Sequence, residues 1–170
     1  MSSTSSAILK SLGAGAALVL IASCGGSGDS ASNEQTGGPV DAAAQEIADT
    51  RHEAMEDIGG AFKTIRDQMN AGSPDMDAVR TAAAFIEEQS TQVGDWFPPE
   101  TSPVLGVDTE ALATIWEQPE EFASAVERFE TAAAALNTAA QSGDADSLAS
   151  AVQGIGGACK NCHDSFRVDD

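Results

Sequence analysis

Four segments of this chain repeat their apolar residues at steps of three and four, and that period restricts the fold more than any other feature. The first segment runs from about Pro39 to Ala71, with Met55, Ile58, Phe62, Ile65 and Met69 on one stripe. Gly72 ends it, and Ser73-Pro74-Asp75 opens the second with a cap, an early proline and an acid suited to the helix dipole. The second continues to about Gly94, with Val79, Ala83, Ile86 and Val93 inward. A long connection, Asp95 to Gln118, holds Trp96-Phe97-Pro98-Pro99 and Trp116, and the two tryptophans are read as caps on the bundle ends rather than electron relays. Pro119-Glu120-Glu121 opens the third helix, whose stripe is Phe122, Val126, Phe129, Ala133, Leu136 and Ala140. Gly143 ends it. The fourth starts at about Asp144 and carries Leu148, Val152, Ile155, Cys159, Cys162 and Phe166 inward. No segment shows strand alternation. A sustained repeat near 3.5 predicts an all-α chain, an antiparallel four-helix bundle.

The fourth stripe ends in Cys159-Lys160-Asn161-Cys162-His163, with Arg167 four residues beyond. The spacing C-x-x-C-H is the attachment signature of a c-type haem. Two thiols one helical turn apart match the two vinyl groups of one haem, and the following histidine reaches the iron from the proximal side. Because both cysteines fall on the inward stripe, haem c is expected inside the bundle.

Residues 1–23 are read as a lipoprotein-type signal peptide. Lys10 is followed by the apolar run Leu12 to Ala22 and then Ile21-Ala22-Ser23-Cys24. An ordinary secretory signal is the alternative. The run is too short for a membrane span of about 20 residues. Lipidation at Cys24 leaves the C-x-x-C pair as the remaining cysteines, with no thiol over. Residues 24–38 read as a flexible tether, with a root-mean-square span of about 20 Å, and residues 39–170 as the domain. Removal of the signal leaves 7 basic and 27 acidic side chains, a charge of −20. That excludes nucleic acid as an expected partner and favours redox partners with a basic docking surface.

The chain resembles the cytochrome c′ family over roughly Ala48 to Val168. The residues that carry the resemblance are Arg51-His52-Glu53-Ala54-Met55 with Gly59, Trp96-Phe97-Pro98, Ile115-Trp116 with Pro119 and Phe122, Gly143-Asp144, and the motif from Cys159 to Arg167. The resemblance implies a periplasmic single-haem electron carrier with no enzymatic activity. In the family the position of Met55 decides the coordination. An apolar residue there leaves the iron five-coordinate, and methionine is what the low-spin members use. Met69 lies about 21 Å further along the helix and Met76 opens the next, so both fall at the wrong end. His52 is the rival ligand. Arg51 is expected either at a haem propionate or solvated beside an acid, and Arg167 either near the proximal side or at the helix C-terminus.

Two other functions stay open: a five-coordinate haem protein binding NO or CO, and a haem-free C-x-x-C thiol–disulfide protein. The resemblance also allows a homodimer through the first two helices, where Ala82, Ala83 and Ala84 would form a small-residue surface. Gly25 after Cys24 resembles the sorting signal of Gram-negative lipoproteins, and the resemblance implies the outer membrane as the site of the lipid anchor. Gly59-Gly60 and Gly154, Gly156, Gly157 interrupt two helices, for close approach to a haem or for ordinary helix crowding.

Overall fold

The computed structural model describes residues 40–168. The signal, Cys24 and the tether lie outside the described residues. Four long helices form the domain: α1 (Ala42–Asn70), α2 (Met76–Ser90), α4 (Pro119–Ser142) and α5 (Ala145–Phe166), with a short α3 (Thr114–Glu117) before α4. Helix α1 packs on α2, α2 on α4, and α4 on α5. The fourth side of the bundle, α1 against α5, has no comparable close backbone approach.

Each long helix starts where its sequence allows. Asp41 accepts from the Ala43 N–H, Asp75 from Asp77 and Ala78, and Asp144 from Ser147, so three helices begin on an aspartate cap. Pro119 fills the first position of α4, where no N–H is needed. Gly143 ends α4 at φ 72°, a left-handed turn that glycine takes without strain. Helix α2 stops at Ser90, short of Gly94. The Ser90 and Thr91 hydroxyls donate to the carbonyls of Glu87 and Glu88, which closes the last turn. The connection that follows is built of three 3₁₀ turns and α3, and is more structured than the sequence suggests.

The α4 stripe is buried throughout, from Phe122 to Ala140, with Ala133, Leu136 and Ala140 at 0% exposure. Each fully buried side chain of Leu or Phe size contributes roughly 1.5–3 kcal/mol. One expectation needs correction. Ala82 and Ala83 are core residues, and of the three alanines only Ala84 is exposed. Helix α2 lies between α1 and α4, so it buries a wide face, and small side chains let both neighbours approach.

Candidate functional site at the α1–α5 seam

Cys159 and Cys162 sit three residues apart on the inner stripe of α5, half-buried against the core. Burial pushes the Cys159 thiol up to about 11, with the neighbouring Cys162 adding to the effect. Burial also raises Cys162, and the charge of Arg128 on α4 partly opposes it. Both groups are therefore protonated thiols at neutral pH. Thiol–disulfide exchange relies on a lowered pKa, so this environment does not suit it.

The helix ends fix which residues face one another. Loop 71–75 joins α1 to α2 at one end, and Gly143-Asp144 joins α4 to α5 at the same end. The start of α1 and the finish of α5 meet at the opposite end, where both touch the connection between α2 and α4. Helices α1 and α5 are thus antiparallel neighbours. Their nearest marked point is Phe62, whose ring carbon would lie 3.7 Å from a Cβ at Gly156. Met55 is seven residues before Phe62, and His163 is seven after Gly156. Seven residues are two turns, about 10.5 Å along either axis. Met55 and His163 are accordingly level with each other on the two sides of the seam. Met55 is half-buried against the core, and His163 is exposed on α5. Met69 and Met76 flank loop 71–75 at the far end.

This arrangement fits a covalently held haem. It has two thiols one turn apart, a histidine, a thioether level with it on α1, and a side of the bundle without close backbone approach. Among the described residues, no three His, Cys, Asp or Glu side chains are grouped to cage a bare metal ion. Helix crowding does not account for the glycines. A Cβ at Gly59, Gly60, Gly154 or Gly157 meets nothing within 4 Å, and at Gly156 it makes ordinary contact with Phe62.

The other singled-out residues are placed as follows. His52 is exposed, with Nε2 3.7 Å from Glu56 Oε1. Arg51 is neither solvated nor beside an acid: it is 5% exposed. Its Nη1 donates to Trp96 O at 3.1 Å and Thr101 Oγ1 at 3.0 Å, and Nη2 to Thr109 Oγ1 at 2.8 Å. The guanidinium lies 4.5 Å over the Phe97 ring, and burial lowers its pKa from the ordinary value. A buried cation needs acceptors, and the loop supplies neutral ones. Arg167 caps α5 through its N–H to His163 O at 3.0 Å, with Nε 3.9 Å from Glu110 Oε2. Trp116 Nε1 donates to Phe97 O at 3.1 Å, which ties the two limbs of the connection together.

Sequence reading missed Arg128, Thr101 and Thr109. Arg128 was accessible to it: α4 and α5 form a hairpin about Gly143, so Arg128 is level with Cys159. The two threonines carry no such signal, because they lie in the aperiodic connection.

The comparisons bear on the same elements. A cytochrome c-554 of Cereibacter sphaeroides is 43% identical over 63 residues, 37% of this chain and 40% of that protein. A cytochrome c′ of Rhodospirillum rubrum is 30% identical over 106 residues, 62% of this chain and 68% of the relative. The match thus spans less than half the length of the first relative and about two thirds of the second. The crystal structure of cytochrome c′ from Thermochromatium tepidum superposes with a TM-score of 0.69 at 28% identity, over 74% of this chain and 97% of that one. The family profile described as cytochrome C′ matches residues 46–167, from the second turn of α1 to the cap of α5, and the chain belongs to the cytochrome c′ family.

Proposed function

We propose that this chain is a single-haem electron carrier whose iron is held between His163 and Met55. Family membership implies covalent haem c, which supplies the redox chemistry. In this reading Cys159 and Cys162 give the thioether links, His163 gives the proximal nitrogen, and Met55 gives the opposing sulfur. The observation that carries it is the level placement of Met55 and His163 across the one side of the bundle that the helices leave apart. A methionine sulfur favours Fe(II) and raises the potential. Ile58, Ile155 and Phe166 are buried in the core cluster, and Phe62, Met55, Cys159 and Cys162 pack against it, so the group would sit beside apolar surface. The acidic surface steers a basic redox partner, and its effect weakens with salt. Export, a lipid anchor at Cys24, and attachment to the periplasmic side of a membrane complete the proposal.

The second reading is a five-coordinate NO- or CO-binding protein. The half-burial of Met55 favours it, because a side chain not locked in the core can yield its place to a gas. The visible and near-infrared spectra of wild type and Met55→Leu, with and without CO, decide between the two. The carrier reading expects low-spin iron and a weak ferric near-infrared band in wild type. The mutant is then high-spin and binds CO more readily. High-spin wild type with an unchanged mutant overturns it.

A further inference from the structure

We infer that Arg51 is a positioning residue that sets the separation of α1 and α5 where Met55 faces His163. This rests on the reading of those two residues as the axial pair. Arg51 is one turn before Met55, yet every hydrogen bond described for its guanidinium goes to the connection between α2 and α4. The same connection grips the other side of the seam. The Leu112 N–H donates to Phe166 O at 2.9 Å, the Val168 N–H to Glu110 O at 2.8 Å, and Thr114 Oγ1 to Ser165 O at 3.0 Å. Those contacts begin two residues after His163.

An aromatic column runs beside the hydrogen-bonded route. The Arg51 guanidinium lies over Phe97, Phe97 meets Phe122 edge-on at 4.9 Å, and Phe122 meets Phe166 edge-on at 5.3 Å. Phe166 is three residues after His163. Both routes start at one side chain on α1 and finish within a turn of His163 on α5. No comparable close backbone approach joins the two helices. The connection is therefore a strap across the seam, and Arg51 is its fastening on α1.

The thioether links fix the haem to α5 alone. Met55 must reach the iron from α1, so its bond depends on the distance the strap holds. A charge-assisted hydrogen bond is among the stronger ones available, and three converge here from one planar group. Loosening the strap shifts the population toward the form without the sulfur bond, by the share of its energy that differs between the two forms.

The test uses the full-length holoprotein and four variants. Arg51→Met keeps bulk and removes the donors. Thr109→Val removes one acceptor, Thr109→Ser restores it, and Met55→Leu is the ligand control. Arg51→Met should lower the ratio of low-spin to high-spin ferric iron roughly tenfold, the scale of one charge-assisted hydrogen bond. It should also raise the CO association rate while the haem stays bound. Thr109→Val should shift both in the same direction by less, and Thr109→Ser should match wild type. Lower melting temperatures with unchanged near-infrared band and CO rate in Arg51→Met and Thr109→Val, alongside an altered Met55→Leu, would refute the inference and leave the axial pair standing. An unchanged Met55→Leu overturns both. Where Arg51→Met gives no holoprotein, the Thr109 pair decides.

Discussion

Gly156→Ala separates a glycine required by the bundle from one required by what the seam holds. Alanine in a helix interior is about 1 kcal/mol more favourable than glycine. Gly60, Gly154 and Gly157 are exposed, and a Cβ there meets nothing, so their alanine variants should collect that gain. At Gly156 the new methyl meets the Phe62 ring at 3.7 Å, an ordinary contact. The polypeptide alone therefore predicts the same gain. Unfolding entropy near 2.1 cal/mol/K per residue gives about 0.27 kcal/mol/K for the 129 described residues, so 1 kcal/mol is worth about 4 °C. In the holoprotein Gly156 should differ, because it shares its face of α5 with His163 and precedes Cys159 by three residues. Its alanine variant should lose the 4 °C gain and broaden the Soret band. Thermal melts followed by circular dichroism, with visible spectra of the same samples, measure both. A gain of about 4 °C with an unchanged spectrum at Gly156 would refute the argument that this glycine makes room for haem.

Replacing Cys159 or Cys162 with Ser should leave at most one thioether, shift the pyridine haemochrome and lower holoprotein yield; unchanged haemochromes in both would sink the attachment assignment. Cys24→Ser should move the protein from the membrane to the soluble fraction, and mass spectrometry of the wild type should find an acylated peptide beginning at Cys24. Asp144 is held below the usual carboxylate range by hydrogen bonds from the Ser147 side chain and N–H. Its contribution is thus full above that range and lost as pH falls through the folded-state pKa. Denaturation of wild type and Asp144→Asn at a series of pH values should show a constant difference at neutral pH that shrinks in acid.

The long helices were legible because burial leaves a period. Phe129, Ala133 and Leu136 are inward by register and buried in fact. The level placement of Met55 and His163 follows from the same register once the two hairpins are drawn. Ala82 and Ala83 misled because a stripe assigns one face to a helix, and α2 serves two neighbours. Arg51 was read on its own element, whereas its acceptors come 45 to 58 residues later, in a connection whose contacts follow no repeat. Its inward register was visible in the sequence, but its partners were not.

The buried thiols also order the events of maturation. Cys159 in the closed bundle is half-buried and pushed up to about 11, which leaves little thiolate and little access for a bulky tetrapyrrole. Thioether formation is therefore expected before α5 docks. The motif lies on the last helix, so α1, α2 and α4 can be complete while the cysteines are still reachable. On the proposed reading, docking of the loaded α5 would place the group on the α1–α5 side, level with Met55. On that order, closure of the bundle would follow attachment of the group.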